Sequence, residues 1–250
     1  MKKLILAAAI TSVFASAFAQ APEAKPEEKK PDNELSFNLG ATSDYRYRGI
    51  SQSRLQPALQ GGADLVNNPT GLYVGTWASS IKWIKDSGGN GHAEIDLYAG
   101  KKGDIGKGFG YDVGGLYYLY PNNKLDSVSG YKNADTFELY GKLTYGIAYV
   151  KYSSAMTNLF GTPNSKNSGY VDVGADIDLG KGYTLNLHGG YQHVMHSPNL
   201  SYSDYKIAVT KQFFGVDFNL AAITTDSKAY VYGTNNLGKT SFVLTATKTF

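Results

Sequence analysis

The residues of this sequence best suited to chemistry are charged side chains separated by a single position. Glu94 and Asp96 have this spacing, as do Asp176 and Asp178. Residues i and i+2 of an extended strand point to the same side, so each pair projects onto one face. Rows of such charges select ions and polar solutes without a bond-making step. The candidates for such a pore lining are Asp44, Arg46, Arg48, Asp64, Glu94, Asp96, Asp112, Glu138, Lys142, Asp172, Asp176, Asp178 and His188.

The signs of these charges indicate which solutes would be favoured. With Asp204, Asp217 and Lys206 included, the polar faces carry eleven acidic residues and four basic ones, which gives a net formal charge of −7. A lumen lined in this way should prefer cations. The alternative is that individual charges pair across strands and only brace the structure.

Arg46 and Arg48 lie at the end of the first alternating segment, just before Gly49. On that segment they would face Glu94 or Asp96 across the lumen. We expect structural salt bridges there rather than a ligand site.

Catalysis is the main competing chemistry. His188 falls on a predicted inward face, His193 lies near a strand end, and His196 lies in a loop beside Ser197. A hydrolase needs a nucleophile, a base and an orienting acid held together, and this spacing joins no such set. His193 and His196 lack a nearby third metal ligand, and the sequence contains no Cys. We therefore predict no catalytic, cofactor or metal site.

Period-two alternation predicts the elements that carry the charged residues. In residues 171–179, for example, Val171 and Val173 alternate with Asp172 and Gly174. This pattern is typical of strands with one apolar and one polar face. Twelve strands are predicted, at residues 35–48, 55–65, 72–84, 93–101, 109–119, 137–143, 147–153, 171–179, 183–191, 205–209, 216–222 and 242–250.

One of these strands has an ambiguous orientation. In residues 72–84, either of two alternating sets of side chains is suited to the inward face. The competing sets are Tyr73, Gly75, Trp77 and Ser79 against Leu72, Val74, Thr76 and Ala78.

The connections distinguish between two all-β architectures. Short glycine-bearing turns alternate with long polar loops, and several strands are long enough to cross a bilayer when tilted. A soluble sandwich usually has shorter strands. We therefore predict an all-β, antiparallel, up-and-down transmembrane β-barrel of about 12 strands, in which loop 121–135 would affect selectivity if it folded inward. Interfacial girdles or lumen packing would use the aromatic residues Trp77, Trp83, Tyr117, Tyr118, Tyr120, Tyr149 and Tyr152.

The N-terminal region divides into two further segments. Residues 1–19 have a basic start, an apolar stretch and an Ala17-Phe18-Ala19 cleavage signal, which predict a signal peptide. Residues 20–34 are rich in Pro, Glu and Lys and predict a flexible periplasmic segment, followed by the barrel at 35–250. The formal charge of +3 does not indicate a nucleic-acid partner.

Three stretches resemble the TorF family of proteobacterial porins. They are SDYRYRGISQS at residues 43–53, GLYVGTWAS at 71–79 and HAEIDLYAGK at 92–101. The resemblance implies an outer-membrane β-barrel that acts as a channel, and it brings no catalytic residues. The C-terminal strand, ending at Phe250, fits the signal read by the barrel-assembly machinery, although Lys248 interrupts its apolar row.

Together these observations predict an outer-membrane, porin-like channel for passive diffusion of small polar solutes, with a cation preference. Outer-membrane lipid, the assembly machinery and the solute would be its partners. Two alternatives remain open: a closed structural or adhesive barrel, and a barrel enzyme acting on lipids through His188 or His193.

Overall fold

The computed structural model describes residues 31–250. The predicted signal peptide, residues 1–19, lies outside this range, as does most of the predicted 20–34 segment. Among residues 31–250, no helix combines the length and the apolar character needed to cross a membrane.

Within residues 31–250, twelve antiparallel strands form a closed barrel. Each strand pairs with its sequence neighbours, and the first strand pairs with the last through Asn38–Thr249 to Thr42–Thr245. The strands are β1 Asn33–Thr42, β2 Ala58–Asn67, β3 Leu72–Ser80, β4 Ala93–Gly106, β5 Phe109–Leu119, β6 Thr136–Tyr145, β7 Ala148–Ala155, β8 Gly169–Gly180, β9 Tyr183–His193, β10 Tyr202–Phe213, β11 Val216–Thr225 and β12 Ser241–Thr249. This architecture confirms the predicted fold class, an all-β antiparallel barrel of 12 strands.

The two ends of the barrel differ. Short turns connect strands at one end, called the turn end, where β1 begins and β12 finishes. Long connections lie at the other, the loop end, and contain the single-turn helix α1 at Trp83–Asp86. Three 3₁₀ turns, Leu125–Ser127, Leu159–Gly161 and Pro198–Leu200, and the paired two-residue strands Val231–Tyr232 and Asn235–Asn236 also lie there.

The predicted bounds of the first and third strands were wrong. The first strand begins at Asn33 rather than at residue 35, and it ends at Thr42 rather than at residue 48. Ser43 breaks the apolar row, and its hydroxyl accepts a hydrogen bond from the backbone N–H of Leu244 at 3.0 Å. The third strand ends at Ser80, before α1, instead of continuing to residue 84.

The structure also settles the orientation of the ambiguous strand, β3. Tyr73 and Trp77 are buried inside the barrel, whereas Leu72 and Val74 are exposed on its outer surface. The inward set is therefore Tyr73, Gly75, Trp77 and Ser79.

Inward-facing glycines make room for tyrosine rings on the lumen wall. Tyr98 lies against Gly75 of the neighbouring strand, and Tyr149 lies against Gly174 in the same way. A Cβ atom on Gly174 would stand 2.6 Å from the Tyr149 hydroxyl oxygen and 2.6 Å from the Leu187 carbonyl oxygen. Since neither backbone nor ring can move freely there, the glycine allows the tyrosine to lie along the wall.

We expect Gly174→Ala to lower the free energy of unfolding by about 1–3 kcal/mol, because the added methyl overpacks the lumen wall. Gly189→Ala is the matched control, since a Cβ atom at this position on the neighbouring strand meets nothing closer than 3.7 Å. Urea unfolding of the protein in lipid vesicles measures both effects. Equal stability of the two variants would contradict the packing role of Gly174.

Candidate functional site: the lumen and its inserted segment

Residues 43–57, the inserted segment, leave β1 and enter the loop end of the lumen. The two-residue strands Arg46–Tyr47 and Ile50–Ser51 pair with each other across a tight turn. Arg48 and Gly49 form this turn with φ values of 45° and 77°, a left-handed pair that favours glycine. A Cβ atom on Gly49 would also lie 2.8 Å from the Asp204 Cβ, so the turn fits closely against β10.

Arg48 attaches the tip of the inserted segment to the opposite wall. Its guanidinium donates to Glu138 Oε2 at 2.7 Å and to Gln192 Oε1 at 2.5 Å. It also stacks over the Tyr170 ring, with Cζ 4.2 Å from the ring centroid. Both members of the salt bridge are almost completely buried, so each depends on the other for charge compensation.

Asp44 and Arg46 hold the base of the inserted segment. The Asp44 carboxylate accepts hydrogen bonds from Arg46 Nε at 2.6 Å and from the Ser51 hydroxyl at 2.5 Å. Arg46 then donates to the Lys239 carbonyl at 3.0 Å and to the Ser241 hydroxyl at 2.9 Å. The segment is therefore bonded to the start of β12 as well as to itself.

Two tyrosines of the inserted segment contact the wall on the side of β3, β4 and β5. The Tyr45 hydroxyl donates to Glu94 Oε1 at 2.6 Å, and its ring packs edge-on against Trp77. Burial and the nearby Glu94 carboxylate raise the pKa of Tyr45 well above its usual value, so its hydroxyl remains a donor. The hydroxyls of Tyr47 and Tyr118 lie 2.6 Å apart.

Loop 226–240 also covers the loop end. The Tyr230 hydroxyl donates to the Leu200 carbonyl at 3.1 Å, and its ring lies edge-on to Tyr202. Burial raises the pKa of Tyr230 to about 12, which keeps the hydroxyl protonated.

Below the inserted segment lies a cavity of about 140 Å³. Arg48, Asp96, Tyr118, Lys151 and Asp172 are among the side chains that line it, together with Tyr45, Tyr47, Leu116, Lys142 and His188. Its walls therefore combine aromatic rings with charges of both signs.

The predicted pore-lining residues of the strands all lie on inward-facing positions, and most of their carboxylates have a tyrosine donor. Asp64 accepts from the Tyr98 hydroxyl at 2.6 Å, and Asp112 accepts from Tyr73 at 2.6 Å. Asp176 instead accepts from the Asn186 amide at 2.5 Å. Many lumen acids are thus also structural acceptors.

His188 lies between two acids of the same wall. Its Nδ1 is 2.9 Å from Asp172, and its Nε2 is 2.6 Å from Asp204. Since both ring nitrogens contact carboxylates, this geometry offers no nitrogen to activate a nucleophile. His193 is exposed at the end of β9.

Several predicted positions proved wrong in detail. Arg46 and Arg48 do not belong to a barrel strand, and their salt bridges are with Asp44 and Glu138 rather than with Glu94 or Asp96. Asp44 is likewise buried in the inserted segment. Asp178 does lie on the inward face, but it is exposed at the turn end.

The aromatic residues divide between the two predicted locations. Trp77, Tyr118 and Tyr120 are buried, as lumen packing predicts, whereas Tyr152 is exposed on the outer surface. Loop 121–135 does not line the cavity; it packs through Leu125 and Ala134 at the loop end.

Sequence reasoning missed Lys151 as a lumen residue. It lies opposite Lys142 on β6 and Asp172 on β8, and its ammonium group is 4.1 Å from the Tyr140 ring centroid. The sequence does indicate this position, because Lys151 alternates with Val150 and Tyr152, whose side chains are exposed on the outer surface of the barrel.

Solved structures similar to this chain include a porin. The structure of a KdgM porin in complex with disordered oligogalacturonate has a TM-score of 0.54 and 7% identity, covering 86% of this chain and 98% of that chain. OprD from Pseudomonas aeruginosa has a TM-score of 0.40 and 10% identity, with 86% and 65% covered. LpxR from Salmonella typhimurium has a TM-score of 0.40 and 10% identity, with 86% and 99% covered. At such identities, the likeness to the KdgM porin shows a shared barrel fold.

The class defined by these features is a twelve-stranded β-barrel with a polar, partly filled lumen. Within that class, the chain belongs to the family described as "Bacterial protein of unknown function (Gcw_chp)", whose family model matches residues 26–250. No curated protein matches the sequence.

We expect Arg48→Met to destabilise the protein by about 3–5 kcal/mol, because it leaves the buried Glu138 carboxylate without its cation. Adding Glu138→Gln should recover part of this loss, since the uncompensated charge is then removed. Urea unfolding of the single and double variants in vesicles gives the comparison. A loss below about 1 kcal/mol for Arg48→Met would contradict its anchoring role.

Proposed function

We propose that this protein is a porin-like channel of the outer membrane, through which small polar solutes diffuse passively. The observation that carries the proposal is the polar cavity inside a barrel whose outer surface is apolar. Exposed leucine, isoleucine, valine and phenylalanine side chains cover that surface, including Phe37, Leu97, Val173, Ile207 and Leu220. A closed barrel with this exterior satisfies its backbone hydrogen bonds in lipid.

The ends of the chain support the same location. β1 and β12 pair from Asn38–Thr249 to Thr42–Thr245, and the backbone N–H of Phe250 donates to the Phe37 carbonyl at 2.8 Å. Phe242 and Leu244 point outward on β12, and the Lys248 ammonium lies 5.0 Å from the Phe250 ring centroid. We propose that this strand is the signal for the barrel-assembly machinery and that residues 1–19 direct export. The TorF resemblance at residues 43–53 also supports an outer-membrane location.

A preference for cations is the finer part of the proposal. Lys102 and Lys151 add to the inward-facing basic residues, but acidic side chains still outnumber basic ones in the lumen. Asp176 and Asp178 lie toward the turn end, below the inserted segment. Their charges would concentrate cations at that mouth.

The inserted segment favours one alternative function. Because it fills the loop end of the lumen, the barrel is also compatible with a closed structural role. A channel carries ionic current across a bilayer, whereas a closed structural barrel does not, so a conductance measurement distinguishes the two functions.

Residues 20–250, refolded and inserted in a planar bilayer under a KCl gradient, should give discrete current steps with a reversal potential on the cation-selective side. Asp176→Asn combined with Asp178→Asn should move that potential toward zero, because two lumen charges are removed. Asp126→Asn, in loop 121–135, is the control and should leave the reversal potential unchanged. A folded, inserted protein that carries no current would support the closed barrel instead.

A further inference from the structure

Asp96 differs from the other buried carboxylates around the inserted segment. It is 5% exposed, and within residues 31–250 its Oδ1 atom has no hydrogen-bond partner. By contrast, Glu138 has Arg48, Glu94 has the Tyr45 hydroxyl, and Asp44 has Arg46. Leaving a carboxylate oxygen buried without a donor costs free energy, so this atom is poised to accept one.

The surroundings of Asp96 indicate what kind of donor fits. Asp96 lines the cavity together with the aromatic residues Tyr45, Tyr47 and Tyr118 and the apolar Leu116. Across the strands it stands opposite Trp77 on one side and Tyr118 on the other. A carboxylate bordered by aromatic rings suits an organic ammonium ion, which donates an N–H to the carboxylate and contacts the rings.

The basic residues on the other wall are next to acids of their own. Lys142 stands opposite Asp112 and Lys151 opposite Asp172 in the strand register, while Arg48 is bonded to Glu138. The acidic group of this cavity that lacks such a neighbouring cation is Asp96. What the cavity can accommodate is therefore a positive charge.

We propose that Asp96 is the binding site for the ammonium group of a small organic cation inside this cavity. This inference deepens the proposed function by naming a solute class. The volume of about 140 Å³ limits the ligand to a small molecule. Among residues 31–250 no cluster of three His, Cys, Asp or Glu is suited to a metal ion, so an organic ammonium group is the cation that this wall suits better.

Tryptophan fluorescence tests the site without requiring any current. The chain has two tryptophans, so Trp83→Phe leaves Trp77, opposite Asp96, as the single reporter. Refolded protein in detergent micelles is titrated with ethylammonium chloride, and separately with KCl at equal ionic strength. We expect a saturable change with ethylammonium and none with potassium.

Asp96→Asn should weaken ethylammonium binding at least about tenfold, because the ion pair is lost while the side-chain shape is kept. Asp217→Asn is the matched control: Asp217 is also buried and inward-facing, but its carboxylate accepts from Gln212 at 3.2 Å. Leu116→Phe gives an independent test by narrowing the cavity beside Asp96, and it should also weaken binding. Circular dichroism confirms that each variant is folded.

Three results would overturn the site: no saturable change with ethylammonium, an equal change with KCl, or equal binding by wild type, Asp96→Asn and Leu116→Phe. The first of these is expected if Asp96 is simply a protonated carboxyl group. Saturable binding by a protein that carries no current would retain this site while removing the channel function.

Discussion

The salt bridge between Arg48 and Glu138 is the interaction on which the interior of this barrel depends. It joins a segment that enters from the loop end to a strand on the opposite wall, in a place with almost no access to water. A guanidinium is suited to this role because its planar fork can bond Glu138 and Gln192 together while stacking on Tyr170. Without this attachment, two buried charges would be left unpaired.

The lumen walls are built on a second constraint, the pairing of inward glycines with tyrosines. Tyr98 over Gly75 and Tyr149 over Gly174 keep bulky rings against the wall instead of across the lumen. The same rings direct their hydroxyls to Asp64 and Asp172, at 2.6 and 3.0 Å. One arrangement thus leaves space for a cavity and satisfies carboxylates that would otherwise be costly to bury.

The barrel itself was predictable from the sequence because a strand with one face toward the lumen must alternate strictly. Val171 to Leu179 shows this directly, and the strand found there, β8, has Asp172 and Asp176 inside. Lys151 was missed because its strand alternates less regularly, with two tyrosines around it.

The inserted segment was not predictable in the same way. Tyr45, Arg46, Tyr47 and Arg48 continue the alternation of β1, so they were assigned to the same strand. Ser43, polar at an outward position, and Gly49, after two arginines, were the local signals of a change. The carboxylate that Arg48 meets depends on how the closed barrel brings Glu138 on β6 to the turn at Arg48, and spacing along the chain contains no such information.

Ions that cross the membrane through this protein would pass through the lumen, below the inserted segment. The chain has no cysteine, so a single thiol can be placed at Thr210, which faces inward on β10, or at its neighbour Val209, which faces outward. A charged, membrane-impermeant thiol reagent added during a planar-bilayer recording tests whether ions take this path. Stepwise loss of current for Thr210→Cys, with no change for Val209→Cys, is the predicted result. The same response from both variants, or from neither, would contradict conduction through the lumen.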